Sequence, residues 1–271
     1  MVASAASGMA HAWTNGDFNG SVDIGGSITA DDYRQKWSWA IGSGLNGFSN
    51  VLTDLTENGT KLTIAVNGDK PILLGKTNEA FATLVAGGVG AIPQIAFTDY
   101  QKSKVTPVFA DTGNTGIGYL ELPVVDEHSS PIGLVKVNMT AAGVRMLSEV
   151  SRQRGVVGSL YAGSSDNIFF GGVPASADGS LTHGYTTAKI IAGMGGVSSA
   201  DLLAQLVAVD PSITSTAAST IPLRSSMTKA VTAAAYAMGM KSGQTLEVVF
   251  TKPVTQSTVW KAPLNIAVTY Q

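Results

Sequence analysis

Residues 18–28, Phe-Asn-Gly-Ser-Val-Asp-Ile-Gly-Gly-Ser-Ile, alternate between two kinds of position. One set is apolar or glycine and comprises Phe18, Gly20, Val22, Ile24, Gly26 and Ile28, whereas the intervening set is polar or glycine. A period of two predicts a β-strand with one buried face, and its eleven residues would span about 36 Å at about 3.3 Å per residue. Glycine costs backbone entropy and packs no side chain, so we expect this strand to depend on a groove supplied by another part of the fold.

A second alternating strand closes the sequence. Its apolar positions are Leu264, Ile266, Val268 and Tyr270, and polar or small residues lie between them. No later segment follows to cover its outer edge, and an unpaired strand edge favours pairing with another chain.

Strand signals are also frequent between these two segments. We expect strands near residues 33–41, 61–66, 92–97, 104–109, 118–123, 133–140, 246–250 and 254–260, mostly separated by turn residues such as Asn-Gly-Asp at 67–69. Many short strands joined by turns predict a mainly β sandwich or barrel.

Residues 141–230 contain helical patterns and differ in this from the alternating strands on either side, so we interpret them as an insertion on the β framework. Ser198 and Asp201 form a capping box, and apolar residues at helical spacing follow, which predicts a short helix. A weaker pattern predicts a second helix over residues 144–153.

Composition excludes several classes of protein. The 271 residues contain no cysteine, which excludes disulfides and thiol catalysis. The net charge is −2, so the chain lacks the excess of basic residues that is typical of nucleic-acid-binding proteins. His11, His128 and His183 have no metal-ligand spacing, and no nucleophile motif is present, so we expect no metal site.

Residues 1–12 are small and end in Ala-His-Ala, the pattern of a secretory cleavage site. We interpret them as a signal-peptide remnant before a mature start at Trp13. The alternative is an Ala/Ser-rich terminus without such a role.

One motif favours an enzyme. Residues 42–47, Gly-Ser-Gly-Leu-Asn-Gly, match the dinucleotide-binding pattern, and Asp69 follows at about the spacing of a ribose-binding acid. However, Trp37-Ser38-Trp39 alternates as a half-buried strand does, and no strand–helix repetition follows. A nicotinamide-dependent enzyme therefore remains a remote alternative.

Long runs of the chain resemble one known family. Residues 13–39, 45–55, 59–64, 70–75, 92–100 and 260–270 closely resemble FaeG-type major fimbrial subunits of enterotoxigenic Escherichia coli, which have ClpG-type relatives. These are chaperone–usher proteins, and the resemblance implies a surface fimbrium reached through the periplasm and a subunit that is not an enzyme and needs no cofactor.

The resemblance also implies how subunits would join. The domain, residues 31–271, would be an incomplete immunoglobulin-like sandwich with an apolar groove edged by Leu264, Ile266, Val268 and Tyr270. A periplasmic chaperone would fill the groove first. At the outer-membrane usher, residues 13–30 of another copy would replace the chaperone and insert Phe18, Val22, Ile24 and Ile28.

FaeG-type subunits also bind host glycoconjugates through their inserted region, but residues 141–230 match the family pattern poorly. Candidate glycan contacts are therefore chosen by chemistry alone: Arg152, Arg154, Tyr161, Asp166 and Phe169. The alternative is a purely structural subunit without lectin activity.

Overall fold

The computed structural model describes residues 32–83, 88–227 and 230–271. The expectations for residues 1–12 and 13–30, and with them Phe18, Val22, Ile24 and Ile28, lie outside the described residues. In the described part no helix is long and apolar enough to cross a membrane.

The described chain is mainly β, as predicted. Its strands are β1 (Trp37–Ile41), β2 (Leu55–Thr56), β3 (Lys61–Ala65), β4 (Lys70–Thr77), β5 (Pro93–Thr98), β6 (Lys104–Val105), β7 (Val108–Phe109), β8 (Ile117–Val125), β9 (Pro131–Glu149), β10 (Arg154–Tyr161), β11 (Ser215–Ala218), β12 (Leu223–Arg224), β13 (Thr232–Met240), β14 (Thr245–Phe250) and β15 (Asn265–Tyr270). The two α-helices are α1 (Gly184–Gly193) and α2 (Ser199–Val209). Short 3-10 turns cover Arg34–Lys36, Leu52–Asp54, Glu57–Gly59 and Val150–Arg152.

Two sheets face each other across one core. The larger has the order β1-β4-β13-β9-β14-β3-β2, with β8 and β10 also paired to β9, and the smaller has the order β15-β5-β6. Apolar residues from both sheets form a single buried cluster that includes Phe97 and Ile95 of the small sheet and Leu120, Val135 and Tyr236 of the large one. The architecture is that of a β-sandwich.

The helices add a third layer on the outer face of the large sheet. Ala233, Ala235 and Ala237 of β13 belong to a second buried cluster with Leu202 and Leu206 of α2. The alternate residues of the same strand, Ala234, Tyr236 and Met238, face the sandwich core. Because β13 is covered on both faces, small alanines are needed where the helix lies close against the sheet.

Helix α2 begins as predicted. The Ser198 side chain accepts a hydrogen bond from the Asp201 N–H, and the Asp201 carboxylate accepts one from the Ser198 N–H at 2.7 Å. The box satisfies two N–H groups that the first turn of a helix leaves without partners.

Two expectations of secondary structure are wrong. Residues 144–153 do not form an α-helix, since β9 continues to Glu149 and pairs with β13 as far as Leu147 and with β10 as far as Glu149. Only a single 3-10 turn, Val150–Arg152, follows it. Apolar residues on both faces of a buried strand give a run that periodicity cannot distinguish from a buried helix. Residues 254–260 do not form a strand, because they are mostly exposed and pair with none of the described strands.

Candidate functional site: a groove between two sheet edges

The last strand lies at the edge of the small sheet. In β15 the even-numbered residues from 266 to 270 are half-buried and the odd-numbered ones are exposed, as the sequence predicts. Along its inner edge β15 pairs with β5 over the whole strand. Among the described residues no strand pairs with its outer edge.

The ladder to β5 shows which backbone groups point outward. Gln271 and Ile92 exchange two hydrogen bonds, with N–O distances of 3.1 and 3.3 Å. In an antiparallel pair such exchanges occur at every second residue, so the odd-numbered residues of β15 bond to β5. The N–H and C=O groups of Ile266, Val268 and Tyr270 therefore point toward the outer edge, where they could bind an additional strand.

Across the groove lies the corresponding edge of the large sheet. Strand β1 pairs with β4 and is the first strand in the order of that sheet. The Trp39 indole N–H of β1 donates a 2.9 Å hydrogen bond to the Tyr270 hydroxyl of β15. This bond joins the two sheets at one end of the space between their edges.

An apolar cavity of about 1470 Å³ occupies the remainder of that space. Residues 41–46 and 48–53 line one side and residues 256–266 line the other. Core side chains of the large sheet form its base, among them Leu62, Ile72, Leu120, Leu122, Val135 and Val137. Ile41 and Val259 at its rim are 70% and 65% exposed. A cavity of this kind can accept apolar side chains from an extended segment.

Gly42 and Gly44 of the Gly-rich motif at residues 42–47 line this cavity. Strand β1, which precedes the motif, is antiparallel to β4, and the described residues 48–83 after it contain no α-helix. A Cβ on Gly42 would lie 1.7 Å from the Pro71 carbonyl oxygen, so this glycine allows the chain to leave β1 close to β4. The dinucleotide-binding alternative is wrong for this motif, because it requires a parallel strand–helix–strand unit.

The five candidate glycan contacts do not form one site. Arg152 and Arg154 both pair with Glu149, at 3.3 Å and 2.6 Å. Tyr161 lies at the other end of β10, seven residues from Arg154 and thus about 23 Å away. Phe169 is fully buried and packs against Trp37, Trp39 and Tyr236, so its ring presents no face to a ligand.

Tyr161 and Asp166 do lie in one polar neighbourhood. Ser164 donates a hydrogen bond to the Asp166 carboxylate and holds the pKa of that carboxyl below its ordinary value, and the Arg224 guanidinium 3.8 Å away acts in the same direction. Arg224 also donates to Ser164 at 2.9 Å and is paired with Tyr161 between β12 and β10. Asp166 and Arg224 are exposed, and Tyr161 is half-buried.

Sequence reasoning missed several residues of the groove and of the polar neighbourhood around Asp166. Trp39 and the two segments that flank the cavity follow no functional motif. Their apolar residues Val51, Leu52 and Val259 are nevertheless exposed, and only the tertiary structure shows that they border one groove. Arg224 has no distinctive sequence context and is brought to Asp166 by the pairing of β12 with β10.

Known proteins are similar in sequence to this chain over all or nearly all of its length. A family model described as "Fimbrial, major and minor subunit", of the K88 type, matches residues 1–271. K88 fimbrial protein AB of Escherichia coli is 52% identical over 275 residues, covering 100% of this chain and 96% of that protein. K88 fimbrial protein AD is 50% identical, and the F41 fimbrial protein is 28% identical over 97% of this chain, both from Escherichia coli.

A β-sandwich with an apolar groove between two sheet edges, together with these matches, defines the class as a fimbrial subunit. The chain belongs to the K88 fimbrial family, whose members form surface fimbriae.

Proposed function

We propose that the chain polymerises by donor-strand exchange, in which residues 13–30 of one copy occupy the groove of the next. The observation that carries this proposal is the cavity of about 1470 Å³ bordered by β1 and by the outer edge of β15. The alternating segment 18–28 has the complementary pattern, with apolar side chains on one face.

The energetics support such a contact. Burying Phe18, Val22, Ile24 and Ile28 at about 1.5–3 kcal/mol each gives about 6–12 kcal/mol before ordering costs. Backbone hydrogen bonds to Ile266, Val268 and Tyr270 would add to this. Because the donor segment and the groove are different surfaces of one chain, the contact repeats head to tail and produces a filament.

A periplasmic chaperone and an outer-membrane usher are the partners this assembly requires. The groove exposes apolar surface until a donor fills it, and such surface favours aggregation. A chaperone that pairs with β15 would cover it before the usher delivers the next subunit.

The experiment replaces donor residues in the full chain. Val22→Asn with Ile24→Asn should abolish fibres in electron micrographs of cells that express the complete assembly system, because two buried positions become polar. Asp23→Asn, on the opposite face of the same strand, is the matched control and should leave fibres intact. Normal fibres from the double variant would contradict the proposal.

We also propose that the fibre binds host glycans through the polar neighbourhood of Tyr161, Asp166 and Arg224. A half-buried aromatic ring next to exposed donors and acceptors is the usual chemistry of a shallow sugar site, and many copies on one fibre raise the avidity of a weak site. Fibres carrying Arg224→Ala or Asp166→Ala should lose binding on a glycan array. Arg152→Ala, at the other end of β10, should retain it. Wild-type fibres that bind no glycan would instead favour a purely structural subunit.

A further inference from the structure

We propose that consecutive copies in the fibre also meet outside the groove, and that the exposed apolar residues around its open end are a docking surface for the globular domain of the next copy. We call this surface the rim and define it by Ile41, Val51, Leu52 and Val259. The inference rests on the proposed donor-strand exchange and deepens it by adding a second contact between the same two copies.

The rim presents apolar side chains to solvent on a fixed backbone. All four of its side chains are exposed and border the same cavity. The Asp54 carboxylate accepts a 3.0 Å hydrogen bond from the Val51 N–H and so holds the turn that carries Val51 and Leu52. On the other side of the groove, Lys261 and Val125 exchange two backbone hydrogen bonds of 2.8 and 3.0 Å, two residues after Val259. Apolar residues clustered on a surface in this way mark a site that binds another molecule.

The rim extends beyond the strands that a donor would join. Val51, Leu52 and Val259 belong to none of the described strands. A donor bonded to the outer edge of β15 forms its backbone ladder with that strand, which begins only at Asn265. We therefore assign the rim to a part of the neighbouring copy other than its donor strand.

The part concerned is the place where the chain enters the globular domain. We call it the N-terminal surface and define it by the exposed residues Asp32, Arg34 and Val89. The Tyr33 N–H donates a 2.8 Å hydrogen bond to the Val89 carbonyl, and the next residue, Gly90, donates one of 3.0 Å to the carbonyl of Gln271. The N-terminal surface therefore lies beside the last residue of β15, whereas the rim lies beside the residues that precede this strand.

A short connection brings the two surfaces of neighbouring copies together. Four residue steps join Ile28, the end of the donor segment, to Asp32, and at about 3.6 Å per step they span at most about 14 Å. All pairs within the small sheet are antiparallel, and an antiparallel donor leaves the groove at the start of β15, beside the rim. The N-terminal surface of one copy then rests on the rim of the next, and this contact repeats head to tail along the fibre.

Cross-linking tests which surfaces meet, because the chain has no cysteine of its own. Fibres of the full chain carrying Val89→Cys with Val259→Cys, treated with a short bis-maleimide, should give a ladder of covalent multimers on a denaturing gel. Val89→Cys with Ile221→Cys is the matched control and should give none. Ile221 is 66% exposed against 65% for Val259, but it lies near helix α1, on the other side of the large sheet from the groove.

The other outcomes of this experiment would overturn the proposal. Intact fibres without multimers, or equal ladders from both pairs, would show that the N-terminal surface does not rest on the rim. Covalent dimers from Val89→Cys alone would show that two N-terminal surfaces face each other. Each of these results would leave donor-strand exchange intact, whereas the failure of exchange is seen as fibres that persist in the Val22→Asn, Ile24→Asn variant.

The stiffness of the fibre provides a second test. Leu52→Ser with Val259→Ser should still form fibres, because substitutions of exposed residues change stability little, but their persistence length in electron micrographs should fall severalfold. The matched control is Val209→Ser with Ile221→Ser, whose side chains are 48% and 66% exposed against 48% and 65% for the rim pair. It should leave the persistence length unchanged. Rim-variant fibres as stiff as the wild type would overturn the docking role, and so would a complete loss of fibres, which would place these residues in donor-strand exchange itself.

Discussion

The Tyr236 hydroxyl donates a 2.9 Å hydrogen bond to the backbone carbonyl of Gly172, deep in the sandwich. Tyr236 lies in the central strand β13 and is fully buried, and burial raises the pKa of its phenol well above the ordinary value. The bond ties the turn that carries Phe169 to the centre of the large sheet. Since Phe169 in turn packs on Trp39, this contact supports the closed end of the groove.

Removing this hydroxyl should lower the stability of the subunit. Tyr236→Phe leaves a carbonyl without its partner, and we expect a loss of about 1–3 kcal/mol in the free energy of unfolding. Urea unfolding of the purified chain measures it. Tyr119→Phe, whose half-buried ring lies beside Lys136, is the control and should cost less. A Tyr236→Phe chain as stable as the wild type would show that the bond contributes nothing.

Gly75 should tolerate no side chain. A Cβ there would lie 2.4 Å from the Trp39 ring, so Gly75→Ala forces the indole to move and should cost about 1–3 kcal/mol. Gly47→Ala is the matched control, because a Cβ at Gly47 meets no atom within 4 Å. Thermal unfolding of both variants makes the comparison, and equal melting temperatures would contradict the packing described for Trp39.

The hydrogen bond between Trp39 and Tyr270 should show up as coupling between the two residues. Trp39→Phe and Tyr270→Phe each remove one partner of the hydrogen bond. The double variant should lose less unfolding free energy than the two single variants lose together, by about 0.5–1.5 kcal/mol. A double-mutant cycle on unfolding free energies gives this value. Strict additivity would mean that the two rings are independent.

Stability at acid pH should depend on the cap of helix α2. The backbone and side chain of Ser198 donate hydrogen bonds to Asp201 and lower the pKa of its carboxyl below 3.8. A lowered pKa in the folded state stabilises the fold above the unfolded value, and this contribution is lost as the pH falls through the folded value. The difference in unfolding free energy between the wild type and Asp201→Asn should therefore be present at pH 7 and shrink below about pH 3.8. A difference that does not change with pH would exclude this role of the carboxylate.

Local patterns in the sequence predict a strand or helix correctly where one of its faces is buried and the other is exposed. Strand β15 alternates cleanly, and α2 carries both a capping box and an apolar stripe. Strand β13 and the second half of β9 were missed or misassigned because the sandwich covers one of their faces and the helices cover the other. A strand that is buried on both faces loses the alternation on which such a prediction depends.

The candidate sites show the same limit. The half-buried residues of β15 could be predicted, whereas Trp39 is recognisable only once β1 and β15 lie on opposite sides of one groove. Phe169 is a candidate glycan contact because it is an aromatic residue in the inserted region, yet its ring is part of the sandwich core. Side-chain chemistry indicated what a residue could bind, but not whether the fold leaves it accessible.

Hydrogen exchange at the last strand tests the central claim most directly. The amides of Ala267 and Thr269 face β5 and should exchange slowly in both the isolated subunit and the fibre. The amides of Ile266, Val268 and Tyr270 face the outer edge. We expect them to exchange quickly in the isolated subunit and to become protected in the fibre, because the donor strand of the next copy bonds to them. Equally fast exchange of these three amides in the fibre would contradict completion of the sandwich by a neighbouring chain.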